Sequence, residues 1–105
     1  MEQFVIKMNY SKDDISYGYI EIGVHKENAN DSLIWISDLY VNKGHRHIGI
    51  GTALMNKVID TCKKLSITRV YLWCIPKLIP FYKNFGAEDT HLINEGYHFM
   101  RINIK

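Results

Sequence analysis

The 105 residues predict an α+β domain built on a mixed, mostly antiparallel twisted sheet. Three observations carry this. The first third alternates apolar and polar residues between polar turns, which is the pattern of a β-meander. A glycine-bearing loop then leads into an amphipathic helix and a β-rich segment, making a central β-α-β crossover with two parallel strands. A second, short helix and a C-terminal hairpin close the chain. The length suits one domain, residues 1–105, which can bury a core at roughly two-thirds of its unfolded surface.

EQFVIKMNY, Glu2 to Tyr10, is the first strand, and SKDD, Ser11 to Asp14, is its turn. In Tyr17 to His25, Tyr19, Glu21 and Gly23 fall on one face and Ile20, Ile22 and Val24 on the other. KENAND, Lys26 to Asp31, is a turn, because Asn and Asp side chains bond nearby backbone and favour bends. SLIWISDLYV, Ser32 to Val41, is apolar on both faces and predicts a central strand covered on both sides. From about Gly49 to about Leu65 a helix is expected. Ile50, Ala53, Leu54, Val58 and Leu65 recur at helical spacing on its inner side, with Asn56, Lys57, Asp60, Lys63 and Lys64 on the wet side.

TRVYLWCI, Thr68 to Ile75, is the strand that completes the crossover. Pro76 to Gly86 predicts a short helix, with Pro76 in its first turn and Gly86 at its stop. Pro80 inside that segment shortens or kinks it. Strands around Asp89–Ile93 and Tyr97–Ile104 follow, turning at Asn94-Glu95-Gly96.

Composition narrows the function classes. Hydrophobic content of 47% and charge of 23% are those of an ordinary globular chain. No apolar run approaches the roughly 18 residues of a membrane span, and no signal-peptide pattern opens the chain, so the expectation is a cytoplasmic protein with no membrane partner. Cys62 and Cys74 form no CxxC and read as small buried apolar residues. A net charge of +2 suits an anionic ligand, yet no clustered basic face argues for nucleic acid. His45-x-His47 has no third ligand at suitable spacing, so no metal is expected, and the two read as loop histidines near a phosphate. Trp35 and Trp73 read as core packing rather than a stacking platform.

The loop in LYVNKGHRHIGIGTALM, Leu39 to Met55, admits three phosphate chemistries. A nucleotide P-loop needs a lysine after its second glycine; Gly44 and Gly49 have the spacing, but Ile50 stands in the lysine's place. A dinucleotide loop needs G-x-G-x-x-G after the first strand of a parallel unit, and only Gly49-Ile50-Gly51 is present, behind a meander. The remaining pattern is R-x-x-G-x-G, Arg46 to Gly51. Its glycines let backbone N–H groups approach an anion, the helix dipole adds to the attraction, and Arg46 can brace the loop or touch the phosphate.

On these residues the chain resembles the GNAT superfamily of acyl-CoA-dependent N-acetyltransferases, in a short form lacking the usual N-terminal strand and helices. The loop segment is similar to that family's strand, pyrophosphate loop and long helix. IPFYKNFGA, Ile79 to Ala87, resembles its second helix, with a tyrosine four residues before a glycine. YHFMRINI, Tyr97 to Ile104, resembles its last strand. Tyr82 follows Gly51 by about 31 residues, in the family's order, and the resemblance covers roughly Tyr17 to the C-terminus.

The resemblance implies acetyl-CoA as cosubstrate, with no metal. Asp38 to Val41 would pair with the pantetheine arm, through Leu39, Tyr40 and Val41. The amides of Arg46, His47, Ile48, Gly49, Ile50, Gly51 and Thr52 would hold the pyrophosphate. Tyr82 would protonate the departing thiolate, and a backbone N–H of the Leu39–Val41 strand would meet the oxyanion. The acceptor would be the amine of a small molecule or a protein amino group, attacking directly. Glu21, His25 and Asp38 are candidate bases, with none assigned. Two departures stand against this pattern. Ile75 occupies the place of an asparagine, and the missing N-terminal cover leaves the acceptor cleft open or completed by a second subunit in a homodimer. The alternative is a catalytically inactive CoA-binding or protein-interaction module of the same fold.

Overall fold

The computed structural model describes residues 2–26, 32–46 and 48–104. Its elements are β1 (Glu2–Lys12), β2 (Ile15–Lys26), β3 (Leu33–Val41), α1 (Ile50–Leu65), β4 (Arg69–Cys74), α2 (Ile79–Lys83), β5 (Ala87–Asn94) and β6 (Tyr97–Asn103). Short 3-10 turns at Lys43–His45 and Pro76–Leu78 precede the two helices. The strands form one sheet in the order β1-β2-β3-β4-β6-β5. Among the described residues only β3 and β4 run parallel; every other pair is antiparallel. This is the mixed sheet with a single β-α-β crossover that the sequence predicts.

Turn chemistry sets the hairpins. Asp13 and Asp14 both take positive φ, 52° and 63°, the two-residue geometry whose twist matches that of paired strands. The turn therefore shrinks to these two residues, and Ser11 and Lys12 join β1. Glu95 and Gly96, at φ 50° and 85°, repeat the device between β5 and β6. The KENAND turn lies almost wholly outside the described residues; its Lys26 ends β2. The segment from Pro76 becomes a 3-10 turn and the five-residue α2, as Pro80 dictates.

Helix α1 buries Ile50, Leu54, Met55, Val58 and Cys62. Ala53 is only half-buried, and Leu65, expected inside, is 45% exposed. The reason lies at the helix end. Ser66 adopts the left-handed conformation at φ 57°, and its N–H bonds to the Lys63 carbonyl. The Ile67 N–H returns to the Cys62 carbonyl at 2.9 Å. This Schellman closure swings Ile67 into the slot that a continuing helix would give Leu65. Ile67 is 2% exposed.

Both helices pack on the sheet face that carries Ile20, Ile22, Val24, Ile34, Val70, Leu72, Met100 and Ile102. No described helix covers the other face. There Trp35, Tyr71, Trp73 and Phe99 touch ring to ring, with centroids 5.1–5.7 Å apart. The expectation of a β3 covered on both sides is thus corrected: its second face is screened only by neighbouring aromatic rings. Trp35 and Trp73 belong to that open face and not to the core. Among the described residues no helix is long and apolar enough to cross a membrane.

The feature that positions the site is a bulge in β3. Glu21 pairs with Asp38, and Ile22 with Ile36, so Ser37 has no partner in the ladder. An extra residue bends its strand and disturbs pairing on both sides. The β3–β4 ladder consists of Ile34–Val70 and Trp35–Tyr71 alone. Beyond Trp35 the two parallel strands diverge, and a cleft opens between them.

Candidate functional site

Two cavities meet in that cleft. The larger, about 590 Å³, is walled by Leu39, Tyr40 and Val41 of β3, by the loop and first turn of α1, and by Lys77, Leu78, Phe81 and Tyr82. The smaller, about 250 Å³, lies between Ile36–Leu39 and Leu72–Ile75, with Leu78, Tyr82 and Tyr97. Leu39, Leu78 and Tyr82 line both, so the passage between them runs past the Tyr82 side chain.

The loop is latched to β2 before it turns. Asn42 N–H donates to the Tyr17 carbonyl at 2.8 Å, and its side-chain amide donates to the Ser16 carbonyl at 2.8 Å. The His45 ring stacks on Tyr17 with centroids 4.1 Å apart. Arg46 Nε donates to the Val41 carbonyl at 3.0 Å, so this arginine braces the strand end while lining the larger cavity.

Gly49 makes the entry to α1 at φ 89°, in left-handed space. Ala53 N–H bonds back to the Gly49 carbonyl at 2.9 Å. The amides of Ile50, Gly51 and Thr52 therefore have no acceptor within the helix and stay available at its positive end. Arg46 and Lys77 add positive charge to the same wall. The arrangement suits a phosphate-bearing anion. A Cβ on Gly51 would lie 3.4 Å from Phe81 Cζ, an ordinary van der Waals contact, so space alone does not demand glycine there.

Tyr82 is 5% exposed. Burial pushes its hydroxyl up to about 12, and Cys74 and Asp38 add to the shift. It thus stays protonated near neutral pH and can donate a hydrogen bond or a proton. Asp38 accepts a hydrogen bond from the Tyr19 hydroxyl at 2.7 Å, and that bond is the main reason Tyr19 is raised above its ordinary value. The Cys74 thiol is also pushed up, first by burial and then by Asp89, and it donates to Met100 Sδ at 3.3 Å.

Of the residues singled out in the sequence, Leu39, Tyr40, Val41, Arg46, Gly49, Ile50, Gly51, Thr52 and Tyr82 line the larger cavity. Ile48 does not line it and is 68% exposed; His47 lies outside the described residues. Among the three candidate bases only Asp38 lines either of these two cavities, the smaller one. Glu21 sits across from Asp38 on β2, and His25 lies further along β2, opposite Leu33 and hydrogen-bonded to Gln3 at 2.8 Å. Lys77, Leu78 and Phe81 were not singled out. A lysine between two prolines just before the tyrosine was their one sequence signal, and only the tertiary structure brings the three to the larger cavity.

Residues 6–87 match the family described as acetyltransferase (GNAT), so the likeness reaches upstream of Tyr17 into β1. The chain is 32% identical over 62 residues to the histone acetyltransferase TAP1 of Glycine max, an alignment that covers 59% of this chain and 26% of the relative. It is 38% identical over 61 residues to an uncharacterised N-acetyltransferase of Methanocaldococcus jannaschii, covering 55% and 27%. The chain thus spans about a quarter of the length of these curated relatives. In three dimensions it is similar to Arabidopsis thaliana Naa50 in complex with the bisubstrate analogue CoA-Ac-MVNAL, at 28% identity and a TM-score of 0.79. That likeness covers 90% of this chain and 70% of the other.

Proposed function

The chain belongs to the GNAT acetyltransferase family, and we propose that it transfers an acetyl group from acetyl-CoA to an amine by direct attack on the thioester. The observation that carries this is the meeting of two cavities at one buried tyrosine hydroxyl. The larger cavity fits acetyl-CoA. The amides of Ile50, Gly51 and Thr52, with Arg46 and Lys77, take the pyrophosphate. The edge of β3 that β4 leaves unpaired takes the arm as an added strand, against Leu39 and Val41.

The remaining chemistry belongs to the chain's own groups. The amine nitrogen forms a bond to the carbonyl carbon, and a backbone N–H on the free edge of β3, within Leu39–Val41, faces the developing oxyanion. As the carbon–sulfur bond breaks, Tyr82 gives its proton to the sulfur, and the tyrosinate regains one from the amine directly or through water. Cys74 takes no covalent part: its thiol is buried and committed to Met100.

The rest of the reading follows from the same features. The chain acts as one domain, since both helices and the strands between them share one core. Cys62 and Cys74, both free and buried, suit the reducing cytoplasm. The aromatic open face suits pairing with a second copy in a homodimer. The CoA-Ac-MVNAL analogue bound by Naa50 supports a peptide amino group beside small amines as acceptor. A second reading, an inactive CoA-binding or interaction module, draws support from Ile75, an exposed apolar side chain at the smaller cavity where the family often has an asparagine.

A thermal shift with acetyl-CoA tests the common part. Ligand at a hundredfold its Kd adds about 2.7 kcal/mol, roughly 10–20 °C for a domain this small. Absence of a shift at millimolar acetyl-CoA overturns both readings. Release of free thiol with an amine selects the enzyme; binding without release across an amine panel selects the module.

A further inference from the structure

Within the acetyltransferase reading, on which its acceptor role rests, we propose that the smaller cavity takes a primary ammonium carried on an apolar stem. Asp38 is the counter-ion and Tyr19 the residue that positions it.

The two cavities differ in charge. Arg46 and Lys77 line the larger one, whereas among the described residues no lysine, arginine or histidine lines the smaller, and Asp38 is the one carboxylate there. Asp38 and Glu21 are cross-strand neighbours on the open face, where like charges repel. Among the described residues neither has a cation within ion-pair distance. Lys7 lies across from Glu21 on β1, but its Nζ sits 4.1 Å over the Tyr19 ring. The site therefore carries negative charge that a bound cation would relieve.

Geometry fixes where the cation sits. The Tyr19 hydroxyl holds Asp38 Oδ2 at 2.7 Å, which sets the carboxylate's orientation and leaves Oδ1 to accept from a ligand. Asp38 is also near enough to Tyr82 for its charge to raise that hydroxyl's proton affinity. An ammonium held by Asp38 thus shares the smaller cavity with Tyr82, and it gives one proton to water before its nitrogen attacks the thioester.

The walls define the stem. Trp73, Ile75, Leu78 and Tyr97 rim the cavity and are 38–48% exposed, an apolar surface that water covers poorly. About 250 Å³ equals roughly eight water-sized volumes, enough for one ring or side chain. Among the described residues no cationic side chain lines the cavity, so an anionic amine has no counter-ion there; Ser37, Tyr82 and Tyr97 bring hydroxyls to the lining, so the apolar rim meets the stem and these meet its polar end.

The test titrates phenethylamine and its uncharged isostere 2-phenylethanol, without acetyl-CoA, into the wild type, Asp38→Asn, Tyr19→Phe and Trp73→Ala. In the wild type the amine should bind about tenfold more tightly than the alcohol, as expected for a charge-assisted hydrogen bond. Asp38→Asn should erase the gap while the alcohol still binds, which also reports an intact cavity. Tyr19→Phe should weaken the amine several-fold and leave the alcohol unchanged; a purely structural Tyr19 would weaken both alike. Trp73→Ala should weaken both. Equal wild-type affinities, or a gap that survives Asp38→Asn, would overturn the proposal. With acetyl-CoA added, phenethylamine should release thiol, and Asp38→Asn should raise its KM about tenfold; amine binding without thiol release would overturn the acceptor role. Because the binding arm needs no cofactor, failure of acetyl-CoA to bind rejects the transferase reading separately.

Discussion

At Gly18 an added Cβ would lie 2.6 Å from the Tyr40 carbonyl oxygen and 3.2 Å from Val41 Cα, both backbone atoms that cannot yield cheaply. Gly18→Ala should cost about 1–3 kcal/mol in urea unfolding, and it should also weaken acetyl-CoA, because the displaced segment walls the larger cavity. Gly49→Ala forces a Cβ into left-handed space at φ 89° and should cost about 1–2 kcal/mol. Gly44 has neither a positive φ nor any atom within 4 Å of a built Cβ, so Gly44→Ala should stay within about 0.5 kcal/mol of wild type. The loop pattern shows Gly44, Gly49 and Gly51 alike; only their dihedrals and neighbours separate them. Tyr82 was singled out through the family resemblance, by its place behind the glycine loop and before Gly86, and it lines both cavities. Tyr82→Phe should lower kcat about a hundredfold while leaving acetyl-CoA affinity nearly intact. Equal loss of turnover and binding would make the hydroxyl a packing feature.

Elements were legible wherever local chemistry decides them, and less so where pairing does. Strand β5 reads as a simple run, yet its register shifts between Asp89 and Ile93. His91 sits there at φ 63°, its N–H donating to Asp89 Oδ1 at 2.8 Å, and Thr90 Oγ1 donates to the Phe99 carbonyl at 2.8 Å. Asp89 Oδ2 also meets His98 Nδ1 at 2.9 Å. The His91 N–H bond, helped by His98 and opposed by burial, holds the Asp89 carboxyl below its ordinary value. A carboxyl with a lowered folded-state pKa stabilises the fold above its unfolded pKa, near 4, and loses that contribution as pH falls through the folded value. Asp89→Asn should therefore lower stability at pH 6 and flatten its decline below about pH 4, measured by urea unfolding at a series of pH values. An unchanged acid limb would show that other carboxylates govern it. The end of α1 follows the same logic: Leu65 fits the helical period, but the Schellman turn at Ser66 gives the buried place to Ile67.

At the scale of the molecule, one core joins β2, β3, β4, β6 and both helices. Urea or thermal unfolding should therefore be a single transition, coincident by tryptophan fluorescence and far-UV circular dichroism. Trp35 and Trp73 lie on the open face, so fluorescence reports a part of the sheet that no described helix covers; a separate early fluorescence transition would make that face a unit of its own. By itself the sequence determined the strands and helices, their order, the crossover and the family, because period, turn residues and motif spacing are properties of neighbouring residues. The tertiary structure alone decided which sheet face is covered, where β3 and β4 part, and that Asp38 and Tyr82 line one cavity. An apolar period records that a side chain can be buried, not what buries it. A bulge such as that at Ser37 exists only as a mismatch between two paired strands, and no single strand carries it.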